Sequence, residues 1–302
     1  MTSDAMAMPR GSRVRWGAAL ATVAPVAVIV LALIALWYVA AAIMNAALVR
    51  AAVEHGSLVD LIAATWSAER PMLPAPHQIL HEFMLSTTGY PPSSARSLLY
   101  HSGVTLSATV LGFAIGAVFG IVLAVLIVHL RALEKSLMPW IICSQMVPIL
   151  AIAPIVIVVL GSIGIRGLLP KSIISAYLCF FPVTIGMVKG LTSPDPIQRD
   201  LMRTWSATPA QVFWKLRWPA SMPFLFASLK VAIAISLIGA IVGELPTGAQ
   251  AGLGARLLAG SYYGQTIQIW AALFAAALLA AIMVALIGWI ERLFAARMGA
   301  TA

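Results

Sequence analysis

Apolar residues fall into six long runs, at roughly 17–44, 103–130, 137–161, 170–191, 223–242 and 268–290, separated by short polar connections. Each run reaches the ~20 residues that a helix needs to cross a ~30 Å hydrocarbon core. The pattern predicts an all-α membrane protein of about six transmembrane helices. The longest polar interruption in the second half of the chain, 193–223, carries two helix starts. Asp195-Pro196-Ile197-Gln198 and Thr208-Pro209-Ala210-Gln211 each read as a capping box with proline at the first helical position. The first helix is expected to end near Trp205, with Ser206-Ala207 as the turn. Trp218-Pro219 is expected to end the second, because a residue before proline is pushed off helical angles. A short basic hairpin between two spans follows.

Composition sharpens this picture. The 302 residues are 61% hydrophobic and only 10% charged, with a mean hydropathy of +0.97, whereas soluble domains carry ~25% charged residues. With the N-terminus inside, twelve of the nineteen Lys and Arg residues fall in cytoplasmic segments, six fall outside, and Lys230 lies within a span. The ten acidic residues split evenly, so the basic excess sits inside. Both termini and the hairpin are therefore expected in the cytoplasm. The net charge of +9 reads as a topology signal rather than a nucleic-acid footprint. A cleaved signal peptide has an apolar region of about 7–15 residues. The first run is nearly twice that, which favours an uncleaved first span.

The hairpin resembles the cytoplasmic loop of binding-protein-dependent ABC importer permeases, and most of all the sulfonate/nitrate/taurine-type branch. Asp200 stands at the family's acidic position, Leu201 and Met202 at its small pair, Ser206 at its glycine, and Trp218-Pro219 at its closing Leu-Pro. The likeness extends from about Leu73 to Arg292 and includes LPAPHQIL, GFAIGAVFG and VGEL with its glycine-rich tail. It implies the type I importer fold, with residues 1–72 as tail, first span and external segment, and 73–302 as the permease core. The loop is then the coupling helix, with Asp200, Arg203 and Ser206 shaping it and Thr208, Gln211, Phe213 and Trp214 presenting its docking face. The implied partners are ABC ATPase subunits holding ATP and magnesium, an extracytoplasmic substrate-binding protein and a second permease copy. The chain itself is expected to hold no cofactor and to catalyse no reaction.

Individual residues suggest a route. The third run contains Ser144, Gln145 and Met146 beside Pro148 and Pro154, and is expected to be one kinked span. Polar groups beside prolines in lipid face protein or water. The fourth run adds Tyr177 and Phe181. Glu244 ends the fifth, where it is expected to meet solute, to gate the route or to pair with Arg256. Lys230 is expected to snorkel toward headgroups. Gly112, Gly116 and Gly120 share a face for close helix packing within the chain. His77 and His81 are expected to pack at the interface, on a short amphipathic helix at 78–85, rather than to bind metal. No G-x-x-x-x-G-K-[ST], H-E-x-x-H or G-x-S-x-G pattern occurs, and Cys143 and Cys179 both lie within apolar runs. Two classes remain: the membrane subunit of an ATP-driven importer, and a secondary transporter or channel without an ATPase. The capped hairpin favours the first.

Overall fold

The structure is a computed structural model that describes residues 13–50, 57–246 and 251–297. The basic tail before Arg13 and part of the glycine-rich tail, 247–250, lie outside the described residues. Among the described residues every regular element is a helix. Five segments are long and apolar enough to cross a membrane: Ala24–Val49 within α1 (Arg13–Val49), α4 (Leu98–His129), α7 (Leu168–Thr192), the stretch Pro209–Glu244, and α12 (Thr266–Arg297). A bent pair, α5 (Arg131–Ser144) and α6 (Ile149–Ser162), passes the same test together with a bend of 97°, so the spans number five, or six where the pair is counted as one.

That bend corrects the expectation of one kinked third span. Pro148 has no amide hydrogen to continue α5, and its carbonyl instead starts α6 by accepting from Ala151 at 2.9 Å. Pro139 and Pro154 are absorbed inside α5 and α6, so only Pro148 breaks the chain. The second correction lies at Trp218-Pro219, which does not end a helix. Here α9 (Pro209–Val212) passes through one π turn (Phe213–Arg217) directly into α10 (Trp218–Glu244). Trp218 keeps helical angles, φ −63° and ψ −50°, and donates to the carbonyl of Phe213 five residues back. The wider turn leaves room for the Pro219 ring and puts its missing donor where the ladder is already reset.

The chain divides into two compact units, Met1–His81 and Glu82–Ala302. In the first, α2 (Leu58–Trp66) folds back on α1. Trp66 Nε1 donates to the Tyr38 carbonyl at 3.1 Å, and the two rings meet edge to face at 5.2 Å. Buried Asn45 organises the connection after α2: its amide donates to the carbonyls of Thr65 and Leu73, and its oxygen accepts from Met72. Ser57 caps α2, and its hydroxyl and amide hold the Asp60 carboxyl below its ordinary value. The expected amphipathic helix is α3 (Pro76–Thr88), with His77 stacked on Tyr38 and hydrogen-bonded to its hydroxyl.

The core of the second unit is the triple contact of α4, α7 and α10. Gly112, Gly116 and Gly120 lie against Ser175, Cys179 and Val183, so the small stripe serves packing within the chain. A methyl at Gly116 would sit 2.8 Å from the Ala176 carbonyl, and one at Gly120 would sit 2.8 Å from that of Phe180. In lipid this close approach supplies the dispersion contact that replaces hydrophobic exclusion of water. On its other side α7 meets α10, where the Ser175 hydroxyl bonds the Ser236 carbonyl at 2.7 Å and Ser236 donates to the Thr109 carbonyl at 3.0 Å. Three spans are thereby tied by hydroxyls that have no water to turn to. Apolar packing continues along this seam toward the hairpin end, through Ala124, Val183, Met187 and Leu191.

Candidate functional site

The polar hairpin forms as its caps dictate. The Asp195 amide donates to Gln198 Oε1 at 3.2 Å, starting α8 (Pro196–Thr204). Thr208 and Gln211 close the second box at 2.9 and 3.3 Å. Between them Ser206 has φ +52°, the only non-glycine positive φ among the described residues. The turn thus demands the left-handed region at the residue that stands where a glycine was expected. Asp200 and Arg203 pair at 2.9 Å across one helical turn of an exposed face.

Phe213 and Trp214 separate in role. Phe213 is half-buried, rests on the core cluster and lies 5.2 Å from the His129 ring at the end of α4. Trp214 stays exposed and meets Phe213 edge to face and Trp218 at a tilt in an aromatic cluster. Ile197, Leu201 and Trp205 on α8 are also exposed, at 80%, 52% and 74%. None of these three is among the residues that the sequence assigned to the docking face. Their signal was apolar positions at i, i+4 and i+8 in an otherwise polar helix.

At the other end of α10, on the order of 40 Å away at 1.5 Å per residue, lies a buried polar cluster. Glu244 is completely buried. Thr105 of α4 donates to its carboxylate at 2.9 Å, the Gly254 amide donates at 2.8 Å, and Lys171 of α7 lies 3.8 Å away. The cation beside Glu244 is therefore Lys171, and the expected pair with Arg256 does not form. Lys171 also donates to the Ala251 carbonyl at 3.3 Å. The amide of Leu253 donates to Thr105 and that of Gly252 to His101 Nδ1. Because that nitrogen accepts, the His101 proton resides on Nε2, which meets the Ala95 carbonyl at 2.9 Å. Gly252 has φ +125°, and a side chain there would run into the Glu244 carboxylate. Residues 251–254, at the start of α11 (Leu253–Tyr262), are thus fastened to α4 and α10 by three consecutive amides and to α7 by the Ala251 carbonyl. His101, Thr105 and Thr109 recur every fourth residue on α4, a polar stripe visible in the sequence but not used there.

Beside this cluster opens a cleft of about 890 Å³ between α4, α6 and the start of α7. Tyr100, Ser107, Arg166, Lys171 and Ala251 contribute its polar and aromatic groups. Of the expected pathway residues, none lines this cleft. Ser144 and Gln145 sit at the α5–α6 elbow, where Tyr177 of α7 donates to the Ser144 carbonyl and so satisfies a group the break sets free. Gln145 bonds the Ser144 hydroxyl at 3.3 Å, Met146 is exposed, and Phe181 is half-buried on α7. Lys230 does not snorkel unpaired: it forms an ion pair with Glu291 of α12. The sequence offered no register between α10 and α12 from which to find that partner.

Residues 116–300 match the family of the binding-protein-dependent transport system inner membrane component. The formylaminopyrimidine transport permease protein ThiX of Halalkalibacterium halodurans is 31% identical over 194 residues, 64% of this chain and 72% of that one. The riboflavin transport system permease protein RibX of Chloroflexus aurantiacus is 32% identical over 203 residues, 66% and 73% of the two chains. A probable ABC transporter permease protein of Haemophilus influenzae is 29% identical over 214 residues, 71% and 82% of the two. The match covers α7, the capped hairpin, all of α10 and the buried carboxylate. Multi-pass, all-helical and built around that hairpin, the chain belongs to the family of inner-membrane permease components of binding-protein-dependent transport systems.

Proposed function

We propose that this chain forms half of the translocation path of an ATP-driven importer and receives its energy through the 193–223 hairpin. The observation that carries the reading is mechanical. The hairpin exposes Ile197, Leu201, Trp205 and Trp214, and it is joined to α10 without a break in the helix. Exposed apolar side chains on a polar, capped loop suit a protein partner, with a few large residues supplying most of the contact energy. That partner is an ABC ATPase, which binds ATP and magnesium in place of any cofactor in this chain. Two ATPase subunits need two hairpins, so the permease works as a homodimer. With the bent α5–α6 pair counted as a crossing, an even number of spans leaves the hairpin and both termini on one side, and the basic excess of these segments supports the cytoplasm for that side. The cleft beside Lys171 then opens toward the extracytoplasmic binding protein. Its apolar walls with a few polar groups suit a small polar or heterocyclic solute, of the kind in the names of the relatives.

A pull-down of the tagged chain from its native membrane tests this reading, with Leu201→Asp and Trp205→Asp as variants. Phe213→Asp is a poor probe, because Phe213 supports the core. Recovery of an ATPase and a binding protein with the wild type, and loss of the ATPase alone with either variant, is the expected result. A chain that emerges alone in every case would instead mark an autonomous carrier or channel.

A further inference from the structure

We propose that Lys171 and Glu244 are the latch of the outer gate, and that Lys171 is the residue through which the gate meets the contents of the cleft. The proposal rests on the importer reading above for its direction in the membrane, and on geometry for everything else. A carboxylate fully buried among spanning helices is expensive, and it persists only with dedicated partners. Here the partners come from three separate elements: Thr105 on α4, Lys171 on α7 and the Gly254 amide on α11. The same two side chains also hold residues 251–253, since Thr105 accepts from the Leu253 amide and Lys171 donates to the Ala251 carbonyl. Lys171 and Ala251 line the cleft, whereas Glu244 does not. Lys171 therefore belongs at once to the cleft and to the fastening of the segment beside it.

The drive reaches this latch along one helix. Glu244 is the last residue of α10, and α10 continues from the hairpin through the π turn. A tilt imposed at the hairpin moves Glu244 relative to Thr105 and Lys171, which stand on other spans. The ion pair and the Thr105 bond to Glu244 then part, the Gly254 amide is drawn with Glu244 away from the Gly252 and Leu253 amides held on α4, and residues 251–254 lift from the cleft. A group in the cleft that offers an oxygen to Lys171 competes with the Ala251 carbonyl and biases the same step.

The test uses the complex drawn from its native membrane into phospholipid nanodiscs, in a Cys143→Ser background, because Cys143 is exposed and Cys179 is buried. Ala251→Cys then reports gate position through its rate of reaction with a membrane-impermeant maleimide, measured without nucleotide and with ATP plus vanadate. With Lys171 present, the two states should differ by about tenfold in rate, equivalent to ~1.4 kcal/mol. Lys171→Met should react at the faster rate in both states, and Lys171→Arg should restore the difference. Since Lys171→Met removes the cation beside a buried carboxylate, the double change Lys171→Met with Glu244→Gln keeps the shape without the charge and should also be fast in both. State dependence that survives in either methionine variant overturns the latch, as does a wild-type complex that hydrolyses ATP with no change in labelling. Absence of any ATPase would sink the importer reading alone. The latch would then be judged by the chain by itself, where equal labelling of the lysine and methionine forms overturns it.

Discussion

Ser206 shows how much a single position can demand. Its φ of +52° places it where L-residues pay about 1–2 kcal/mol, and glycine pays nothing of that kind. Ser206→Gly should therefore leave assembly with the ATPase intact and raise the melting temperature slightly. Ser206→Val, with a branched side chain in the same region, should lower the melting temperature and weaken assembly. Thermal melts and pull-downs of the two variants side by side check this, and equal behaviour would show that the turn relaxes. Ser206 was legible because the two flanking caps fix the turn from both sides. Lys171 was not legible, since its role depends on Glu244 lying 73 positions further on, and no local pattern relates the two. The pairing offered by proximity in sequence, Glu244 with Arg256, was the wrong one.

Among the elements, the seam between α4 and α7 has the least tolerance. Each glycine of the stripe faces backbone or a β-carbon of α7 rather than the end of a flexible chain. Gly116→Val should thus force the two spans apart and destabilise the protein by about 1–3 kcal/mol or more. Gly161, which has open space around it, should accept alanine. Unfolding in detergent measured for both variants tests the contrast, and a stable Gly116→Val protein would mean the seam can shift. Helix positions and this packing face could be read from period and residue size. The fate of individual prolines could not. Pro148 breaks its span and Pro154 does not, because the outcome depends on whether a neighbour, here Tyr177 at the Ser144 carbonyl, satisfies what the break sets free. Likewise Pro219 was read as an end, but a π turn, invisible in the residue pattern, carries the helix past it.

At the scale of the whole molecule, one helical stretch of 36 residues, Pro209–Glu244, joins the hairpin to the buried carboxylate. Inserting Gly-Gly after Arg217 should leave the hairpin able to hold its partner while separating its motion from the far end. The expected result is retained ATPase association with loss of ATP-driven uptake by the reconstituted complex. Uptake at the wild-type level would show that the motion travels by another element. The bent pair α5–α6 has a further consequence, for how the chain is made. Each arm has 14 residues, roughly 21 Å at 1.5 Å per residue, and neither alone covers a ~30 Å core. Together, at 97°, they reach about 28 Å from end to end. A ribosome that has delivered only α5 has given the insertion machinery nothing it can leave across the bilayer. Counted as one crossing, the pair fixes the side on which the later spans begin only after α6 has followed, so the elbow of the finished protein also marks a step in its insertion.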